Sequence, residues 1–229
     1  MEGLAVIIAA AGSGSRMKAK NNKQYMLIAG QPLLRYCLEV FEQGALVQEI
    51  IIVARENEVE YCEEYIVRNQ GYKKISKIIP GGAHRQDSVW AGLCQLEKHT
   101  GLVAVHDGAR PFITLELLDK LLEAAKCWGA AVPGRLAVET VKRVDKDLFV
   151  EETLDRSALW TVQTPQIFST QKLRKAYLKG AEEGYRATDD AALYERYIGR
   201  VKILPGEENN IKITTPEDIK RAEFILSMR

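Results

Sequence analysis

Leu4-Ala5-Val6-Ile7-Ile8-Ala9-Ala10-Ala11 runs without a polar residue into Gly12-Ser13-Gly14-Ser15-Arg16, and this junction decides the fold. Six to eight apolar residues ending at glycines suit a strand buried on both faces of a parallel sheet, whereas a helix would normally be longer. The glycines then close the strand at its C-terminal end. Ligands bind at the carboxyl ends of strands in open α/β sheets, and a backbone without Cβ atoms lets several N–H groups turn toward one anion. Arg16, Lys18, Lys20 and Lys23 follow within eight residues. A charge run on a turn is usually a solvated face, but cations on a loop already inclined to hold an anion describe a seat for a polyphosphate.

Spacing separates the phosphate motifs that compete for this loop. A Walker loop needs Gly-Lys-Ser/Thr so that its lysine reaches the terminal phosphates, and no such triplet occurs here. The dinucleotide fingerprint needs a third glycine where Met17 stands, and an acidic residue about twenty positions on, where Pro32 opens a helix. What remains is a nucleoside triphosphate held by backbone amides, with Arg16 and Lys23 as mobile counter-charges.

A chain of 229 residues with 46% hydrophobic content fits one large α/β domain over 1–229. Its 32 basic and 31 acidic residues leave a net charge of +1, so no global field favours nucleic acid or an anionic membrane. Cys37, Cys62, Cys94 and Cys127 form no CxxC pair and fall in helix-like segments, where free cysteine behaves as a small buried apolar residue. His84, His99 and His106 are scattered singly, which argues against a zinc site. No apolar run approaches a membrane span and no export signal is evident, so the expectation is a cytoplasmic, reduced protein.

Along the chain, Pro32 opens a helix to about Gln43, Glu49–Ala54 reads as a strand, Glu58–Asn69 as a helix and Lys77–Ile79 as a strand. This β-α-β rhythm predicts a mainly parallel sheet. Gly81 and Gly82 end the third strand, and a helix to about Glu97 follows, with Ser88 placed either to cap it or to meet a ligand. A further strand, Leu102–Val105, is closed by His106, Asp107, Gly108, Ala109 and Arg110. Asp107 and Arg110 would either pair to shape the turn or serve a site, Asp107 holding a hydroxyl or a metal and Arg110 a phosphate; His106 reads as a packing residue. Three polar strand ends on one sheet edge favour a site. After a helix from Leu115 to Cys127, alternation replaces the apolar runs between Val132 and Leu154, in the manner of an exposed hairpin around Asp145–Asp147. A two-stranded excursion is barely stable alone, so a dimer arm at 135–155 is expected. A helix over Thr170–Glu183, a helix through Tyr197 that Asp189 and Asp190 open and that Thr188 either caps or leaves for a ligand, a strand Val201–Leu204, and a last helix with Thr215, Pro216 and Asp218 as its start complete the chain. Ile219, Ala222, Phe224 and Ile225 form that helix's expected buried side.

The set AAGSGSRM, KQY, GGAHRQDSV, HDGARP, ETVKR, LDRSALW, QTPQIF, TDDA and NIKITTPED, in this order from Ala9 to Asp218, resembles the 2-C-methyl-D-erythritol 4-phosphate cytidylyltransferase family of the non-mevalonate isoprenoid pathway. The resemblance implies a Rossmann-like nucleotidyltransferase domain with a protruding β-hairpin dimer arm, and a transfer that uses CTP and Mg²⁺, the metal being held mainly through the CTP phosphates. It implies Arg16 and Lys23 as transition-state cations, and Arg156 and Lys212 as cations that position the substrate. Ala10, Ala11, Gly12, Gly81, Gly82, Ser88 and Gly108 match CTP contacts. Asp107, Arg110, Thr140 and Thr188 match the polyol-phosphate side, with Thr140 and Arg156 crossing to the neighbouring subunit of a homodimer. The chain departs from the family pattern at Pro133–Glu139, on the path into the arm, and at Asn209, where an acidic residue is usual before NIK. Ribitol-5-phosphate cytidylyltransferases share the NIKITTP ending but tend to read DSVRP or DAVRP where this chain reads DGARP, so they are the alternative. An oxidoreductase lacks its glycine, and a non-catalytic regulator would be expected to have lost one of the cations.

Overall fold

β1 occupies Leu4–Ala9, and its side chains divide between two cores. Leu4, Val6 and Ile8 face one, Ala5 and Ile7 the other. Burial on both sides is why the run carries no polar residue. The computed structural model describes residues 3–12, 23–68, 70–97 and 99–228, so Arg16 lies outside the described residues, as do Lys18 and Lys20.

A tight turn pairs β2 (Leu27–Ile28) with β3 (Gln31–Pro32) and feeds α1 (Leu33–Gln43), which buries Leu34, Cys37, Leu38 and Phe41. β4 (Val47–Ala54) follows. The helix expected over 58–69 is broken: a 3-10 turn precedes α2 (Val59–Tyr61), which continues as a wider π-helix over Cys62–Val67. β5 (Ile75–Pro80) leads to α3 (Arg85–Gln95), which ends before Glu97. Arg174 explains that early stop, because its guanidinium donates to the carbonyls of Leu93, Leu96 and Glu97. β6 (Leu102–Asp107) is two residues longer than expected and carries His106 and Asp107 on the strand itself.

α4 (Leu115–Trp128) closes on Gly129 in the left-handed region, at φ 81°. β7 (Ala130–Leu136) runs through Pro133 and Gly134, so the departure at 133–136 is ordinary strand. The arm's hairpin is β8 (Lys142–Val144) against β9 (Val150–Thr153), a separate two-stranded sheet. Then come β10 (Trp160–Val162), β11 (Gln166–Ser169), α5 (Thr170–Glu182), α6 (Asp190–Tyr197), β12 (Lys202–Pro205) and α7 (Pro216–Ser227).

Eight strands of the described residues form one sheet in the order β10-β7-β11-β6-β1-β4-β5, with β12 beside β7. Pairing is parallel across β6, β1, β4 and β5 and between β12 and β7; β11 and β10 pair antiparallel with their neighbours. The sheet is mainly parallel, as the β-α-β rhythm requires. α1 and α4 cover one face, and α3, α5 and α6 the other. α7 seals a smaller cluster around Phe112, Ile213 and Ile225.

Several helix expectations need correction. Ser88 is not the cap of α3; His84 occupies that position, in a capping box with Asp87, and the Ser88 hydroxyl donates one turn back to the His84 carbonyl. Thr188 is not the cap of α6 either, since Asp189 accepts from the Ala192 amide. Thr215, Pro216 and Asp218 do start α7, yet Phe224 points to solvent. Cys94 and Cys127 are exposed while Cys37 and Cys62 are buried; all four are free.

Gly92 lets α3 approach β1, because a Cβ there would lie 2.7 Å from Ile7 Cγ2. Gly92→Val should lower stability by about 1–3 kcal/mol through overpacking, read as a fall in the urea midpoint. An unchanged midpoint would show that the contact can relax.

Candidate active site

The C-terminal ends of β1, β4, β5 and β6 open onto a cavity of about 610 Å³. Ala11, Gly12, Gly81, Gly82, Ser88, Asp107 and Lys212 line it, so the three polar strand ends do share one hollow, joined by a lysine from the far end of the chain. Arg55, Asn57 and Arg85 add polar wall that sequence reading left without a role.

The glycines act through close approach. The Gly81 amide donates to Ala54 O at 2.7 Å, and the Gly82 amide donates to Ser88 Oγ at 3.2 Å. A Cβ on Gly81 would lie 2.6 Å from Ser88 Oγ and 2.7 Å from Ala11 Cβ; one on Gly82 would lie 2.4 Å from Asp87 Cβ. Any larger residue would push these walls apart. Ala10 is fully buried, and its amide donates to Val53 O. Gly108 also sits behind the wall, donating to Ala9 O, with Leu34 and Ala10 beside its α-carbon.

Asp107 is the electrostatic centre. Its Oδ2 is 2.7 Å from Lys212 Nζ and 3.9 Å from Arg110 Nε, and its Oδ1 is 3.1 Å from Arg85 Nε. Burial alone would raise this carboxyl, but Arg85, Lys212 and Arg110 overcome burial and hold it well below the usual carboxylate range. The expected Asp107–Arg110 pair therefore exists, loosely, within a larger cluster. Arg110 Nη1 also donates to Asn210 O at 2.8 Å, and Asn210 Nδ2 donates to Thr164 O. Ile213 N donates to Ala109 O. Fully buried Asn210, not Asn209, thus anchors the Lys212 loop.

His106 is packing, as expected. It is fully buried, Nε2 donates to Arg110 O at 2.9 Å, and Nδ1 accepts from the Thr164 hydroxyl at 3.2 Å. Thr164 Oγ1 in turn accepts from the Asp107 amide, which sets that tautomer.

Besides Ala10 and Gly108, which sit behind the wall, four of the expected residues do not line the cavity. Thr140 and Arg156 lie on the exposed arm, where Arg156 Nη1 donates to Val138 O. Thr188 is exposed just before α6, and Arg110 lies behind Asp107. The Lys23 backbone belongs to a 3-10 turn, Lys23–Tyr25, while its side chain lies outside the description. Its neighbour Gln24 lines the cavity, nearly fully buried, with Oε1 lacking a partner among the described residues. Among the described residues no group of three His, Cys, Asp or Glu could hold a metal.

A family model described as 2-C-methyl-D-erythritol 4-phosphate cytidylyltransferase matches residues 4–228. The chain belongs to this family. A curated family relative from Caldanaerobacter subterraneus subsp. tengcongensis, which bears the family name, is 42% identical over 97% of this chain and 98% of its own. Another from Alkaliphilus metalliredigens is 44% identical over 98% and 93%. The crystal structure of a 4-diphosphocytidyl-2C-methyl-D-erythritol synthase from Anaerococcus prevotii superposes with a TM-score of 0.87 at 32% identity, covering 99% of this chain and 96% of that one. Family membership accounts for the glycine-bearing strand ends and the NIKITTPED ending together. Arg85 and Asp190 were visible only as letters inside GGAHRQDSV and TDDA; their partners are remote in sequence, so no local spacing could reveal them.

His106 yields a pH prediction. Burial pushes it down to about 4, from an ordinary value near 6.5 in the unfolded chain. Between those values the unfolded chain binds more protons, so stability is full above about 6.5 and falls as pH drops toward 4, by up to roughly 3 kcal/mol. In His106→Gln this component should vanish. Denaturation of both proteins at pH 7 and 4.5 checks it, and a wild-type advantage that is the same at both values would exclude His106.

Proposed function

We propose that the cavity carries out the family's reaction as follows. A phosphate oxygen of 2-C-methyl-D-erythritol 4-phosphate attacks the α-phosphorus of CTP; the bond to the β-phosphate oxygen breaks, pyrophosphate leaves with that electron pair, and 4-diphosphocytidyl-2-C-methyl-D-erythritol forms for isoprenoid precursor synthesis. The observation that carries this reading is the cavity itself, where glycine-bearing strand ends meet Lys212 and Asp107. Ala10, Ala11, Gly12, Gly81, Gly82, Ser88 and Gly108 form the CTP side, and Asp107, Arg110, Thr140 and Thr188 the polyol side. Arg16 and Lys23 offset charge on the phosphates undergoing transfer, while Lys212 and Arg156 align the incoming phosphate.

An anion attacking a polyanion is slowed by repulsion, so fixed cations and alignment supply most of the acceleration. Alignment can be worth about 7–11 kcal/mol and one electrostatic donor about 3–4. Mg²⁺ would enter on the triphosphate oxygens and neutralise charge developing on the leaving pyrophosphate. The donors present fit that arrangement: Asp107 is engaged by three cations, and Gln24 Oε1, without a partner among the described residues, is a neutral oxygen on the cavity wall.

The arm supports a homodimer in which Thr140 and Arg156 complete a neighbour's cavity. They line no wall of their own, and Val138, Leu148, Phe149 and Val150 leave apolar surface exposed along the arm. A cytoplasmic setting agrees with four free cysteines, and no helix among the described residues is long and apolar enough to cross a membrane.

Pyrophosphate release with CTP, Mg²⁺ and either polyol phosphate tests the proposal. Turnover should be faster with 2-C-methyl-D-erythritol 4-phosphate than with ribitol 5-phosphate, and the reverse order would overturn the choice of substrate. Lys212→Ala should lower kcat/KM by about 10²–10³. A loss under about threefold would remove Lys212 from the mechanism.

A further inference from the structure

Three successive residues at the start of α3 grip the segment that leads into α6. Arg85 Nη1 lies 2.8 Å from Asp190 Oδ2. Gln86 Nε2 donates to Tyr185 O at 3.2 Å, and its Oε1 accepts from Ala187 N at 3.0 Å. Arg186 Nη1 is 3.3 Å from Asp87 Oδ1. Thr188 stands inside the gripped segment.

The first of these contacts reaches the cavity. Asp190 is only 1% exposed, and its second oxygen accepts from the Tyr177 hydroxyl. Arg85 turns its Nε to Asp107 Oδ1 at 3.1 Å, so one guanidinium bridges two carboxylates on different elements. The planar fork holds the two carboxylates at a fixed separation with Nε and Nη1, a geometry that a compact lysine ammonium does not reproduce. Asp190 thus joins α6 to α5 through Tyr177 and to α3 through Arg85, while α6 is capped by Asp189 and tied to β11 through Gln166 without it.

We propose that Arg85 and Asp190 are positioning residues for the polyol-phosphate side of the site. Asp190 holds the guanidinium across Asp107, which occupies Oδ1 and leaves Oδ2 to Lys212 and to the hydroxyls of the acceptor, and the same clasp fixes Thr188 relative to Asp107. This inference rests on the reading of Asp107 and Thr188 as acceptor contacts.

Steady-state kinetics of Asp190→Asn and Arg85→Lys test it. KM for 2-C-methyl-D-erythritol 4-phosphate should rise about tenfold, the effect of one lost charge-assisted contact, with KM for CTP within about twofold. An equal rise in both KM values, or a fall in kcat alone that tracks a lower melting temperature, would mean a purely structural role and overturn the inference. Should Asp190→Asn not fold, Gln86→Ala loosens the same segment without disturbing a buried charge and must show the same split; no split there overturns it equally. If the unaltered protein turns over neither polyol phosphate, the functional reading falls by itself. The clasp is then judged by NMR of ¹³C-methylated lysines, with the Lys212 signal assigned from Lys212→Arg: a shift on Asp190→Asn sustains it and an unmoved signal ends it.

Discussion

A carboxylate taken out of water at the end of a strand costs several kcal/mol unless cations meet it, and at the end of β6 Asp107 meets three, each from a different part of the chain. Arg85 comes from the first turn of α3, Arg110 from the turn after β6, and Lys212 from the loop before α7. Satisfying one buried charge therefore draws three segments to one point. The supporting contacts repeat the pattern at neutral groups, since Asn210 binds Thr164 and Arg110, and Thr164 binds His106 and the Asp107 amide. Removing a partner from such a set leaves an uncompensated charge, which is far more costly than the net value of the pair.

That arrangement explains which parts were legible in the sequence. β1 could be read because burial on two faces removes every polar residue from it, and α7 because Thr215, Pro216 and Asp218 carry a local capping signal. The glycine strand ends could be read for the same reason, as backbone geometry leaves a local mark. The Glu58–Asn69 region could not, because the change from 3-10 turn to π-helix depends on packing more than on composition. Phe224, Cys94 and Cys127 show a further limit: a helix pattern gives the period of the buried face, while its edges are set by what the neighbours cover. Arg85 lies within a motif that carries no local sign of its role, because its partners are 22 and 105 residues away.

The arm follows a different logic. Its turn is closed by Asp145, whose carboxylate accepts from the amides of Asp147 and Phe149, and its strands are clasped by Arg143 against Glu151 and Glu152. These are local contacts, so the alternating pattern predicted the hairpin even where Pro133–Glu139 departs from the family. Exposed pairs of this kind contribute little stability, and a hairpin with no third strand is marginal. The apolar side chains left on it are the surface that the proposed dimer would cover.

The same cluster also bears on what chemistry the strand end can support. The two titratable residues at the end of β6 are both unsuited to taking a proton from a substrate at neutral pH. Asp107 is held by three cations well below the usual carboxylate range, and His106 is sealed from solvent with both ring nitrogens in hydrogen bonds. A reaction that needed a general base there would be poorly served. A phosphate nucleophile is already an anion and needs none, so a strand end that offers fixed charge and geometry matches phosphoryl chemistry by what it leaves out as much as by what it supplies.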